Sequence, residues 1–194
     1  MNQEVKLVDI AESFPQLYID LKYASADNIT GQPIYSVARC LLHPDAAAAL
    51  GRCIEIAALA GFRLRVLDAY RPQQAQQLLW LACPNQEYVV PLDQGSNHSR
   101  GTAIDVTLMD AHGQVLDMGT GFDEMDVRSH AYHPSIPPAA QRNRLLLNAV
   151  MFGGGFTGIA TEWWHFELPK AADYPLLDDV FTCISPAPTN GVSP

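Results

Sequence analysis

Two short segments, far apart in the chain, constrain the fold more than anything else in it. One is Ser96-Asn97-His98-Ser99-Arg100-Gly101-Thr102-Ala103-Ile104-Asp105, and the other is Glu162-Trp163-Trp164-His165. Between them they offer two imidazoles and two carboxylates. If His98, Asp105 and His165 hold one divalent ion, their donor atoms must converge to about 2 Å from a common centre. No local element can bring residue 165 back to residue 98, so the site can exist only in a folded chain that makes the two segments neighbours. Gly101 can bend the backbone between His98 and Asp105, which places one ligand on a loop and one on the strand that follows. Three such ligands leave a tetrahedral position open, the arrangement of a metallohydrolase. Glu162 precedes His165 by three residues. On a straight strand the two would face opposite ways, so a shared site predicts a bend.

The rest of the chain reads as a mixture of strands and helices. Residues Tyr18 to Tyr23 alternate as a half-buried strand, and Asp27-Asn28-Ile29-Thr30-Gly31 reads as a turn. His43-Pro44-Asp45 opens an Ala/Leu-rich helix that closes at Gly61. Phe62 to Asp68 predicts a strand and Gln73 to Ala82 a helix. Thr102 to Leu108 is the expected central strand, with Gln114 to Leu116 as its hairpin partner across the Asp110-Ala111-His112-Gly113 turn. Ala139 to Met151 predicts a helix ended by Gly153-Gly154-Gly155, and Phe156 to Phe166 returns toward the sheet. Without regular βαβ spacing, this order implies an α+β fold: one domain over residues 1–185, with a central, mostly antiparallel sheet flanked by helices. Residues 186–194 are expected to form a flexible tail.

Composition narrows the function classes. The 12 Lys+Arg against 21 Asp+Glu give a formal charge of −9, which disfavours binding to a phosphate backbone but does not repel a small zwitterion. No stretch approaches the roughly 18 apolar residues of a membrane span. The N-terminal residues lack a secretory pattern, so a cytoplasmic protein with reduced thiols at Cys40, Cys53, Cys83 and Cys183 is expected.

Taken singly, each candidate side chain has an ordinary explanation. Arg71, after Asp68-Ala69-Tyr70, could meet an oxyanion or a substrate carboxylate, or simply pair with Asp68. Asp123 could bind an ammonium group or belong to an acidic turn. Ser96 and Tyr23 are ordinary loop and strand residues by themselves. His130 and His133 are alternative ligands should that segment make a helical turn.

In combination the motifs are far more specific. Leu21-Lys22-Tyr23-Ala24, Asp68-Ala69-Tyr70-Arg71-Pro72, the Ser96–Asp105 segment, Gly121-Phe122-Asp123 and Glu162-Trp163-Trp164-His165 occur in an order and spacing that resembles the D-alanyl-D-alanine dipeptidases. That family includes the vancomycin-resistance dipeptidase and enteric cytoplasmic relatives, and the likeness runs roughly from Leu7 to Ser185. The resemblance implies a fold shared with zinc D,D-carboxypeptidases and the hedgehog signalling domain. It implies one zinc ion (Zn2+) per subunit on His98, Asp105 and His165, with Glu162 as the catalytic carboxylate and Arg71 stabilising the transition state. Tyr23, Ser96 and Asp123 would surround a small D,D-dipeptide, and a homodimer is compatible with the family. Asn97 fits the family pattern least well. The resemblance leaves two other functions to be separated from dipeptide hydrolysis, a D,D-carboxypeptidase acting on longer wall peptides and a noncatalytic zinc-binding interaction domain.

Overall fold

The computed structural model describes residues 6–178; the expected tail and Cys183 lie outside the described residues. Its centre is a five-stranded sheet. In chain order the elements are β1 (Val8–Asp9), α1 (Ile10–Ser13), β2 (Tyr18–Ile19), β3 (Leu41–Leu42), α2 (Pro44–Leu59), β4 (Arg63–Asp68), α3 (Gln73–Ala82), β5 (Ala103–Met109), α4 (Pro138–Gly154), β6 (Thr157–Gly158) and β7 (His165–Glu167), with short 3-10 turns between several of them. The sheet order is β2-β4-β5-β7-β6. Only the β2–β4 pairing is parallel, so the expected α+β fold with a mostly antiparallel sheet is what forms. β1 and β3 make a separate antiparallel pair.

Helices α2 and α4 pack on each other, and reach β4, β5 and β6. Both begin with proline inside the first turn, where the missing N–H costs nothing. His43 caps α2 by accepting from the Asp45 N–H, as its position before Pro44 predicts. Every residue of β5 is buried, yet its two faces differ. Ile104, Val106 and Leu108 join the apolar core with Leu147 and Val150, while Ala103, Asp105 and Thr107 alternate to the other side. Burying each of these large aliphatic side chains contributes about 1.5–3 kcal/mol. The central strand is thus held by its apolar face and is free to carry chemistry on the other.

Two elements differ from expectation. The strand predicted over Tyr18 to Tyr23 pairs only at Tyr18–Ile19 and then tightens into a 3-10 turn over Lys22–Ala24. There the Tyr23 carbonyl accepts from Ile34 and Tyr35 instead of from a sheet neighbour. The hairpin partner expected at Gln114 to Leu116 shrinks to a single Met109–Val115 bridge, because Asp110 Oδ1 accepts from the His112 and Gln114 N–H groups and closes a local turn.

Candidate metal centre and active-site cleft

The sheet register builds the site. Asp105 lies directly opposite His165 on β7, and a bulge in β4 between Val66 and Asp68 brings Asp68 opposite Asp105 on the other side. Directly paired residues share a face with Cβ atoms about 4.5–5.5 Å apart, so Asp68, Asp105 and His165 form one row across three strands. His98 approaches from a 3-10 turn over His98–Arg100 that ends at Gly101, whose φ is 71°. A Cβ on Gly101 would stand 2.9 Å from Leu7 Cδ2 and 3.0 Å from the His43 nitrogen. The bend expected at this glycine therefore has both a conformational and a steric reason.

The donor atoms meet as a nearly equilateral triangle. His98 Nε2 is 3.1 Å from His165 Nδ1, and both are 3.3 Å from Asp105 Oδ1. Metal–ligand bonds of 2.0–2.2 Å at tetrahedral angles give donor–donor edges of about 3.3–3.6 Å, so the triangle is close to one face of such a site, slightly contracted. The outer nitrogens fix the tautomers. His98 Nδ1 donates to the Ala69 carbonyl at 2.8 Å, and His165 Nε2 donates to Glu167 Oε2 at 3.0 Å. Whenever the ring is neutral, its proton is thus on the outer nitrogen and the inner nitrogen presents a lone pair. Asp105 Oδ1 is buried without a hydrogen-bond partner among the described residues. Two imidazole nitrogens and a carboxylate oxygen face one point that only protons or a cation can occupy, which is the donor set a divalent cation satisfies.

Electrostatics tell the same story for the metal-free chain. Burial lowers the pKa of His165, but the close Asp105 carboxylate, the hydrogen bond to Glu167 and the charge of Glu162 outweigh it and raise it to about 10, so in the metal-free chain its inner nitrogen carries a proton. Asp105 is also opposed by burial, yet the two imidazoles hold it well below the usual carboxylate range. Glu162 is pushed up to about 8, chiefly by burial and further by Asp105 and Asp123, against the pull of His165 and Arg71. Its Oε2 lies 3.9 Å from His165 Nδ1, beside the triangle and outside it. The bend this requires is present: Trp163 and Trp164 form a turn before β7 starts.

Arg71 lies behind Asp105. Its Nε donates to Asp68 Oδ2 at 2.9 Å, Nη1 to Gln76 Oε1 at 2.9 Å and Nη2 to Asp105 Oδ2 at 3.4 Å. The guanidinium also sits 4.9 Å over the Tyr23 ring. Pairing with Asp68 and facing the site are thus compatible: the ion pair orients the guanidinium and leaves one N–H on each terminal nitrogen. Tyr23 donates to Asp123 Oδ1 at 2.9 Å, and the Ile29 N–H reaches Oδ2 at 3.2 Å. Burial lifts Asp123 to about 6 despite these bonds. Ser96 Oγ accepts from the His98 N–H at 3.2 Å. Tyr23, Arg71, Ser96, Asp123 and Glu162 line, with the three donors, one cleft of about 320 Å³, the small end of the roughly 300–1,000 Å³ found for small-molecule sites; Asp68 lies behind its wall.

His130 and His133 are not part of it. His130 Nε2 lies 2.9 Å from Glu87 Oε1, and His133 Nδ1 is 2.8 Å from Ser135 Oγ. The segment's 3-10 turn, Val127–Ser129, ends before both histidines. The tryptophans divide. Trp163 donates to Thr120 Oγ1 at 2.9 Å and is structural, whereas Trp164 forms part of the cleft wall. Sequence reasoning missed Glu167, Asn97 and Gln76. Glu167 is two residues after His165, so strand alternation places it on the same face. Asn97 Nδ2 donates to the same Glu167 oxygen at 2.9 Å, which gives a role to the position that fits the family pattern least.

The sequence profile of the M15 peptidases, described as D-ala-D-ala dipeptidase, matches residues 3–186. The chain belongs to this peptidase family. Within it, the D-alanyl-D-alanine dipeptidase of Escherichia coli K12 is 66% identical over 193 residues, covering all of both chains. Those of Enterococcus faecium and Enterococcus faecalis are 36% and 37% identical, covering 77% and 84% of this chain and 84% and 89% of the relatives. Membership makes the chain a peptidase. Among the described residues, no helix is long and apolar enough to cross a membrane.

Proposed function

We propose that this M15 chain hydrolyses D-alanyl-D-alanine to two D-alanine molecules with a zinc ion on His98, Asp105 and His165. The observation that carries the reading is the triangle of ligand atoms at 3.1–3.3 Å with Glu162 beside it. A noncatalytic metal site has no use for a buried, unligated carboxylate with its pKa raised toward neutrality or for an oriented guanidinium. When bound, zinc supplies Lewis acidity to the scissile carbonyl and acidifies water in the open position.

The remaining steps belong to side chains. Glu162 takes the proton of the attacking water and returns it to the leaving amine. The free N–H groups of Arg71 meet the oxyanion as it develops, held in place by Asp68 so that no reorganisation is needed at that moment. Asp123 receives the substrate ammonium, which supplies the cation its burial lacks, and the Ser96 hydroxyl is placed to contact the other end of the dipeptide. Tyr23 keeps Asp123 and Arg71 in register by touching both.

The test is release of D-alanine from the free dipeptide by purified, zinc-loaded protein, its loss on chelation and its return with zinc. No turnover near neutral pH by folded protein with full zinc content would refute the assignment. Faster cleavage of an N-acylated or longer peptide ending in the same two residues would make the chain a D,D-carboxypeptidase.

A further inference from the structure

Gln76 is buried in α3 with both ends of its amide engaged. Its Oε1 accepts from Arg71 Nη1 at 2.9 Å, and its Nε2 donates to the Val90 carbonyl at 2.8 Å. The orientation admits no flip, since a guanidinium only donates and a carbonyl only accepts. Val90 belongs to the segment between α3 and the His98 turn, which forms one wall of the cleft through Tyr88, Val89, Val90 and Gln94. The segment is seated by the buried Val89 side chain, and its Glu87 meets His130, which lies outside the cleft, at 2.9 Å. That outer contact is half-exposed and lies off hydrogen-bond alignment, the kind of pair that contributes little. The buried amide is the firm tie between this wall and the site.

We infer that Gln76 is a positioning residue that aims Arg71 with its carbonyl oxygen and fixes the substrate-facing wall with its amide nitrogen. This rests on the proposed role of Arg71. Asp68 holds only the Nε edge of the guanidinium, and Asp105 lies at a long 3.4 Å. Without Gln76 the plane can swing about the Asp68 contact, and a misplacement of about 1 Å is enough to cost catalysis heavily. Loss of the Nε2 bond instead leaves the Val90 carbonyl unpaired and loosens the wall, which affects binding of the ground state and the transition state alike. The two halves of one amide therefore act on different kinetic constants.

Two variants separate them. Gln76→Met keeps the length and removes both bonds; it is expected to lower kcat about tenfold or more and to raise KM. Gln76→Glu restores an acceptor for Arg71 but presents no donor to Val90. It is expected to recover kcat to within about threefold of the parent while KM stays raised. Zinc content and melting temperature are measured alongside, so that a folding defect is not read as a kinetic one. An unchanged kcat in Q76M, or a kcat in Q76E as low as in Q76M, would overturn the inference. Should Q76M not fold, Q76E against the parent decides, because a fall in kcat at unchanged KM contradicts it. Arg71→Lys is the control. If it leaves kcat intact, the role of Arg71 itself is wrong. If it lowers kcat while Q76M does not, Gln76 alone has been misassigned.

Discussion

Zinc uptake should expel protons, and the number follows from the site. In the metal-free chain His165 titrates at about 10 and Glu162 at about 8. At pH 7 both are therefore largely protonated. Coordination needs the His165 Nδ1 lone pair, and the charge of the ion favours ionised Glu162, so binding should release between about one and two protons at pH 7. Because the metal-free form holds the extra protons, affinity must fall as pH falls and rise as pH rises. Release declines toward one proton as pH rises, and between pH 7 and 9 the apparent Kd should tighten by about a hundredfold or more. Competition against a chromophoric chelator of known pH dependence measures the affinity, and titration in weakly buffered solution counts the protons. In Glu162→Gln the release at pH 7 should drop to about one. A change in Kd below tenfold over this range, or release of less than half a proton at pH 7, would refute the tautomer and charge assignments together.

Three further outcomes follow from particular contacts. Glu162→Gln should retain zinc but lower kcat by about two to four orders of magnitude, as loss of the proton-transfer group requires; metal analysis beside steady-state kinetics checks this, and undiminished turnover would exclude the role. Asp123→Asn should reduce kcat/KM for the free dipeptide by about 10- to 100-fold, since a hydrogen bond to a charged group contributes about 1.5–3 kcal/mol; an N-acylated substrate, which lacks the ammonium, should show no such difference. Gly154→Ala would set a Cβ 2.1 Å from Cys53 Sγ and 2.9 Å from the Ala49 carbonyl, forcing α4 away from α2. It should destabilise by about 1–3 kcal/mol, or roughly 3–10 °C in Tm, and an unaltered melting curve would show that the helices yield without cost.

What was legible in the chain depended on whether the signal was local. Helix α3 runs from Gln73 to Ala82 as expected, because Pro72 marks its start and good helix formers fill the rest. The central strand is legible in the run from Thr102 to Leu108 because burial on both faces leaves a nearly continuous apolar segment, and Asp105 stands out against it. The strand over Tyr18 to Tyr23 was not, although its alternation is real: Leu21 and Tyr23 are buried, but a tertiary contact from Ile34 and Tyr35 takes the place of the sheet partner. Gln76 carried no signal at all. A glutamine on a helix is ordinary until the fold places Arg71 at one end of its amide and Val90 at the other. Glu167 was readable in principle, two residues from a proposed ligand on a predicted strand.

The same arrangement makes the cleft electrostatically incomplete. Asp68, Asp105, Glu162 and Asp123 are drawn into one buried or nearly buried region, where like charges at close range oppose folding. Asp68 is compensated by the Tyr35 hydroxyl at 2.8 Å and by Arg71, and Asp123 by Tyr23 and the Ile29 N–H. Glu162 and the inner oxygen of Asp105 have no comparable partner. In the metal-free chain the gap is filled by protons, on His165 and on Glu162, which is why both titrate far above their ordinary values. On the proposed function, a divalent cation would displace those protons and satisfy the three acceptors at once, and a zwitterionic dipeptide would bring its ammonium to the remaining excess at Asp123. The groups left uncompensated by the fold are thus the ones assigned to the ion and the substrate. The strain of assembling them is carried by the apolar face of the central strand and the packed pair of helices.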